Sequence, residues 1–377
     1  MRRGLASLVV LVALFGPVSS ATGSPAASCA WHVVPSPDFA PIWQSQLIDV
    51  KGIAADDAWA VGKLYNPSTG SVKALAEHWD GTSWSNASPP SRSGVTTDLV
   101  GVDAASSTQV YAAGNIATGL TSGALVLQWN GSGWSRFGNN TISGDPTITD
   151  VAAAGSGNVW MAGYLLLPGD RFQGVIYHWV PGAGYWVWYD VPSLEGESVI
   201  LNAIDAWNTE VWAVGQVNGD PLIVHWNGRS WDVSLRLTAA SGEFTDISVI
   251  GDNEARAVGD VVSATGSTKT LAVHWNGTSW EYAPTANPGG ATFNGLASVL
   301  DFSGTNAWAV GSYGPGGFQS TLAQHWNGQQ WSVAPTESPT DASFSAVDGR
   351  SPTDLWAVGA YIDNVAYDQH GFVEHRC

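Results

Sequence analysis

Short runs of alternating apolar and polar residues, each closed by glycine or a turn signal, recur along the whole chain; Leu99-Val100-Gly101-Val102 and Phe244-Thr245-Asp246-Ile247 are two of them. A period of two predicts half-buried β-strands. A second kind of strand follows each and ends in glycine: Trp59-Ala60-Val61-Gly62 returns at Tyr111, Trp160, Trp212, Arg256, Trp308 and Trp356, making seven copies. A third element, His78-Trp79-Asp80-Gly81-Thr82-Ser83-Trp84, has relatives beginning at Gln128, His178, His225, His274 and His325. Its first Trp falls at 79, 129, 179, 226, 275 and 326, a period of about 50 residues. The Asp-Gly or Asn-Gly pair is a hairpin signal, so His-Trp closes a third strand and the next Trp opens a fourth. Four antiparallel strands per repeat make a propeller blade, and seven repeats predict an all-β, seven-bladed β-propeller.

The last repeat is cut short. It runs Phe372-Val373-Glu374-His375-Arg376-Cys377 and has no turn and no fourth strand, whereas Cys29-Ala30-Trp31-His32-Val33-Val34-Pro35 supplies the missing strand from the other end. Aligning His375 with His78 and Trp31 with Trp84 places Cys377 and Cys29 on the two sides of one hairpin tip, within reach of a disulfide. The N-terminal strand is therefore expected to complete the last blade, with the only two cysteines stapling the ring; two unpaired or lipidated cysteines are the alternative.

The repeat resembles the kelch and galactose-oxidase group, in which glycine ends the second strand and an aromatic pair spans the third and fourth. A single glycine stands here for that group's pair, and His-Trp replaces the usual Tyr. The resemblance covers nearly all of residues 29–377 and implies the fold rather than an activity. The group's copper-radical oxidases need a cysteine crosslinked to tyrosine, and both cysteines here are assigned to closure. The Asp-Gly-Thr-Ser-Trp turn is weakly similar to sialidase Asp-box repeats, but the Phe/Tyr-Arg-Ile-Pro signature of those enzymes is absent, as are His-Glu-x-x-His, Gly-x-Ser-x-Gly and a phosphate-binding glycine loop.

Composition narrows the class further. Formal net charge is −18, which disfavours nucleic acid and anionic lipid and leaves proteins, cations and neutral sugars as partners. Arg2 and Arg3, an apolar stretch from Leu5 to Phe15 and the small residues Ser19-Ser20-Ala21 read as a signal peptide over 1–21, followed by a linker over 22–28. The expected product is a secreted, extracellular, monomeric single domain over 29–377 with no membrane insertion. All but three of the 21 tryptophans, Trp43, Trp188 and Trp207, sit at repeat positions, which assigns them to packing between blades. The His78-type histidines are expected to hydrogen-bond neighbouring backbone rather than metal, because Gln128 replaces one of them.

Function is then sought in what the repeat does not absorb. The loops between second and third strands, and the links between blades, carry all the length variation and lie on one face. They supply a candidate binding set of Phe39, Trp43, Tyr65, Arg171, Phe172, Tyr313, Phe318, Tyr361, Tyr367 and His370. Non-catalytic binding of an extracellular protein, a protease or its inhibitor, is the favoured reading. A glycan partner is the alternative, through a lectin or a loop-built polysaccharide lyase or glycosidase. No catalytic residue is assigned and no cofactor is required. The innermost strands carry Asp49, Asp103, Asp150, Asp205, Asp246 and Asp348, a carboxylate ring into which calcium would fit; solvated or amide-bound carboxylates are the competing reading.

Overall fold

The computed structural model describes residues 29–377 apart from 120, 139–141, 143, 239, 291 and 315–317, so the expected signal peptide and linker lie outside the described residues. Seven antiparallel sheets follow one another around a central channel. The innermost strands of blades 1 to 7 are Gln44–Ala54, Gly101–Ser106, Thr147–Ala153, Val199–Trp207, Ser241–Gly251, Phe293–Ser303 and Ala342–Ser351. In blade 2 a short preceding piece, Thr96–Thr97, pairs with the same second strand, Gln109–Thr118. Trp31–Val34 pairs antiparallel with Gln369–Arg376 as the outer strand of blade 7, and Cys29 is bonded to Cys377. Closure is thus as the alignment of the two termini predicts. Among the described residues no helix is long and apolar enough to cross a membrane.

The repeated glycine has a steric cause. A Cβ on Gly62 would stand 1.9 Å from the Gln46 carbonyl oxygen of the innermost strand, and the same clash, at 2.0–2.2 Å, awaits Gly114, Gly163, Gly215, Gly259, Gly311 and Gly359. Opposite this glycine, six of the seven innermost strands shift register, as between Leu47 and Asp49 or between Ile148 and Asp150. A bulge of this kind turns the following side chains. Glycine in the second strand is what lets the innermost strand come close enough to bulge, and the bulge aims the channel residues.

The repeated tryptophans pack between blades, as expected. Trp59 of blade 1 lies against Trp129 and Trp134 of blade 2 at 4.8 and 5.0 Å between ring centroids. Trp160, Trp212 and Trp356 insert in the same way between the paired tryptophans of the next blade. Blade 5 breaks the rule with Arg256, whose guanidinium faces Trp326 and Trp331 at 5.2 and 5.6 Å. Arg256 is fully buried and pairs at 3.3 Å with Asp301, also fully buried.

The histidines depart from expectation. They bond side chains rather than backbone: His78 with Asp57, His225 with Glu210, His274 with Glu254 and His375 with Asp354, all at 2.6–2.9 Å, and His178 and His325 with Asn158 and Asn306. Each partner lies two residues before the second-strand aromatic or arginine of its own blade. Where that residue is Trp, the imidazole also packs against the indole, most closely for His178 on Trp160 at 3.7 Å.

Candidate functional site

Two regions remain once packing is accounted for: the channel and the loop face. In the channel, the six aspartates form two tiers rather than one ring. Asp49, Asp150 and Asp246 stand opposite the residue just before the second-strand glycine, whereas Asp103, Asp205 and Asp348 stand opposite the aromatic two residues further from it. The tiers alternate from blade 1 to blade 5. Five of the carboxylates accept two backbone N–H groups each, one from the following residue and one from the next blade. Asp49 takes Val50 and Val102, Asp103 takes Ala104 and Ala153, and Asp150 takes Val151 and Ile204. Asp205 takes Ala206 and Val249, and Asp246 takes Ile247 and Val299. Ser298 Oγ continues the series in blade 6 by accepting from Val347. These groups hold neighbouring blades together around the axis.

The sixth, Asp348, meets Lys51 of blade 1 instead. The Lys51 ammonium lies 3.0 Å from both Asp348 and Asp103. Burial disfavours that charge, but the two carboxylates more than offset it, so its pKa is held above the ordinary lysine value. Among the described residues no three His, Cys, Asp or Glu side chains gather as a metal-ligand set. Amide binding, one of the competing sequence readings, describes five of the aspartates, and the cation that Asp103 and Asp348 meet is the chain's own Lys51, at the blade 1 position equivalent to Asp103. Lys51 carries no sequence signal, because the equivalent positions of the other blades hold Asp103, Ala152, Asp205, Ser248, Leu300 and Asp348 and so follow no repeat pattern.

Burial pushes the channel acids upward: Asp49 to about 8, Asp205 to about 7 and Asp246 to about 6, with Asp150 and Asp348 also raised. Neighbouring carboxylates add to this, and the backbone amide bonds oppose it. Glu77 belongs to the same class. It is buried on the third strand of blade 1, its Oε2 has no partner, and burial moves it to about 8. At the equivalent place in blade 6, Gln324 accepts from the Ala286 N–H and donates to the Ala286 carbonyl. Counted from the fourth-strand Trp, the link residue that corresponds to Ala286 before blade 1 is Pro37, which has no N–H to offer.

A carboxyl with a raised folded pKa contributes stability that is complete below its unfolded value near 4 and is lost as pH rises through the folded value. His178 acts oppositely: burial lowers it to about 4, so its contribution is lost as pH falls from the unfolded value towards 4. The acids outnumber such histidines. The melting temperature is expected to fall by about 5 °C between pH 5.5 and 8.5, and Glu77→Gln to flatten that profile while stabilising the protein by about 1 kcal/mol at pH 8. Scanning calorimetry across pH checks both; a melting temperature that climbs towards pH 8.5 would contradict the assignment.

On the loop face, the structure sorts the sequence-predicted residues into three groups. Phe39 and Trp43 pack over the core between blades 7 and 1, with the Lys73 ammonium 4.2 Å from the Trp43 ring. Phe172 packs edge-on to Tyr164, Tyr313 leans on the blade 6 core, and Tyr361 stacks with His370 at 5.1 Å. These rings support their own loops. Tyr65, Phe318 and Tyr367 are exposed, the last two by 66% and 76%. Arg171 borders a separate cavity at blades 3 and 4. Five exposed apolar residues on this face escaped the sequence reading, which looked for aromatics: Ile42, Ile362 and Val365, the last 90% exposed, and Leu166 and Val262 at the second-strand ends of blades 3 and 5.

Six exposed apolar side chains, Ile42, Tyr65, Phe318, Ile362, Val365 and Tyr367, thus come from blades 6, 7 and 1, which are consecutive around the closed ring. Their loops are tied together. Asp341, in the link between blades 6 and 7, accepts from Gln319 N–H through Oδ1 and from Ile362 N–H through its carbonyl. Asp368 accepts from the Gln44 side chain, and His370 bonds Asp38. Within the blade 7 loop, Asp363 receives Tyr367 N–H at 2.7 Å and Val365 N–H at 2.8 Å. Tyr367 is held at φ 60°, a conformation that disfavours a bulky side chain by about 1–3 kcal/mol. Exposed aromatics elsewhere, Tyr185, Trp188, Trp207 and Tyr282, are spread over blades 3, 4 and 5.

Neither the family models nor the sequences of curated proteins give a match to this chain. Solved structures do. The chain is similar to YCF48 from Cyanidioschyzon merolae, with 15% identity and a TM-score of 0.57 over 92% of this chain and 98% of that one. It is also similar to a polysaccharide lyase of family PL25, an ulvan lyase bound to -[GlcA(1-4)Rha3S]-, at 11% identity and TM-score 0.53 over 91% and 94% of the two chains. Sqt1 of Chaetomium thermophilum, bound to the N-terminus of ribosomal protein L10, gives 9% identity and TM-score 0.50 over 89% and 97%. At these identities the similarity establishes the β-propeller fold alone.

Proposed function

We propose that this chain is a secreted, non-catalytic binding protein that grips an extracellular protein with the loop face of blades 6, 7 and 1. The observation that carries the reading is the blade 7 loop, where an ordered turn with Tyr367 in a strained conformation presents Val365 and Tyr367 to solvent. Folding does not by itself favour strain that exposes apolar surface, whereas a preorganised epitope uses it. Exposed apolar groups on one rigid face are the usual anchors of protein interfaces. Among structurally similar propellers, Sqt1 binds a peptide segment of another protein. By architecture the chain also resembles the secreted propeller dispase autolysis-inducing protein, which directs attention to a protease or its inhibitor as partner. A glycan remains the second reading, favoured by the ulvan lyase neighbour.

The test is to immobilise the protein, pass secreted proteins of its native source over it and identify what is retained. One protein held by the wild type, reduced about tenfold by Val365→Asp or Tyr367→Ala and unchanged by Trp188→Ala, is the expected result. Retention that ignores the loop variants, or that free sugar releases, would move the assignment to glycans.

A further inference from the structure

A cavity of about 250 Å³ opens between blades 3 and 4, away from the blade 6–7–1 face. Its walls are the start of the third strand of blade 3, Arg171–Trp179, and the link through the 3₁₀ turn Pro192–Leu194 into Val199–Trp207. Buried Val191, Leu194 and Val199 supply an apolar floor. Arg171 and Gln173 border it, both half-buried, and neither side chain has a hydrogen-bond or ion-pair partner among the described residues. The same cavity is lined by Asp190, Glu195 and Glu197. Glu197 is already engaged, by Arg236 Nη1 at 2.9 Å and by the Asn218 side chain. Asp190 and Glu195 are exposed and unpaired.

The unpaired charges in this cavity are therefore one guanidinium and two carboxylates, all within one small space and none neutralising another. A simple anion would meet Arg171 but be repelled by the acids. A simple amine would leave Arg171 unpaired. A molecule with one carboxylate, two ammonium groups and an apolar stem matches all three charges and the floor. We infer that this cavity binds a basic amino acid of the lysine type, its carboxylate on Arg171 and Gln173, its ammonium groups on Asp190 and Glu195, and its methylenes over Val191 and Leu194. The ligand is the free amino acid: the C-terminal lysine of a peptide carries a single ammonium group and would leave one of the two carboxylates unpaired. This site is independent of the protein-binding face and stands or falls separately from it.

Calorimetric titration of the full chain with L-lysine, Nα-acetyl-L-lysine, L-leucine, acetate and n-butylamine tests the inference. L-lysine is expected to bind at least about 10-fold more tightly than leucine, acetate or butylamine. Arg171→Met, which keeps the stem and removes the charge, should weaken lysine by about 10-fold, and so should the exposed Glu195→Gln, whose melting temperature verifies folding. Nα-acetyl-L-lysine, which keeps only the side-chain ammonium, is expected to bind at least about 10-fold more weakly than L-lysine, and equal binding would overturn the placement of two ammonium groups on Asp190 and Glu195. No binding of L-lysine up to about 10 mM, equal binding of butylamine, or a Kd untouched by Arg171→Met overturns the assignment.

Discussion

Asp301→Ala is expected to destabilise the protein by about 3–5 kcal/mol, among the largest effects of any single substitution away from the glycines. Arg256 and Asp301 have no exposure at all, and Arg256 Nη1 and Nη2 already lack hydrogen-bond partners. Burial lowers the guanidinium and raises the Asp301 carboxyl to about 7, in each case against their mutual attraction. The pair therefore contributes little net stability, yet removing one member leaves the other charged and buried. Other blades show the apolar solution: the second-strand position holds Trp or Tyr, and the register position of Asp301 is Ala104, Ala153 and Ala206 in blades 2, 3 and 4. Arg256→Trp combined with Asp301→Ala should thus return to within about 1 kcal/mol of the wild type or exceed it. Chemical denaturation of both singles and the double checks this. A double variant as unstable as Asp301→Ala alone would show that the pair holds the blade 5–6 contact in a way Trp does not replace.

Removing the disulfide is the second large effect. Cys29 and Cys377 are separated by 348 residues, and a closed loop of that length restricts the unfolded chain by about 5 kcal/mol in the loop-entropy account. The folded state loses its staple at the seam where the outer strand Trp31–Val34 meets Gln369–Arg376. Trp31 is fully buried there, edge-on to Trp308 at 5.7 Å, and Arg376 faces the same Trp308 ring at 4.5 Å. Cys29→Ser with Cys377→Ser is expected to lower stability by about 3–5 kcal/mol and to make the N-terminal strand the first segment open to proteolysis. Denaturation with and without reductant measures it, alongside a thiol assay that finds none before reduction and two after. Two free thiols in the unreduced protein would remove the staple from the account.

The fold was legible because each blade repeats its solution. Seven glycine-ended strands, five Trp-Asx-Gly hairpins with a Trp-Val-Pro-Gly variant in blade 3, and the split seventh blade specify strand number, sheet composition and closure without any three-dimensional information. The role of tryptophan was legible for the same reason, since a residue required in every blade is required by the contact between blades. The candidate site was legible only in part. Tyr65, Phe318 and Tyr367 are exposed as expected, but Phe39, Trp43 and Tyr361 are not, because an aromatic in a loop satisfies the sequence pattern equally well beneath the loop as on top of it. Val365 was invisible, being neither aromatic nor part of the repeat.

What the sequence alone determined about this protein is whatever recurs with the blade: the glycine that admits the bulge, the Trp that fills each gap, the two cysteines that replace one turn. Local sterics and a period of about 50 residues suffice for these. The tertiary structure decided everything that depends on two blades meeting. It separated the aspartates into tiers and bound them to the next blade's amides, placed Lys51 between Asp103 and Asp348, and buried Glu77 with Oε2 unpartnered. It also gathered exposed side chains from both ends of the chain on one face and left Arg171 unpaired beside two carboxylates. Those relations join residues tens to hundreds of positions apart, and their energies come from burial and charge in a shared space, which a linear pattern does not contain.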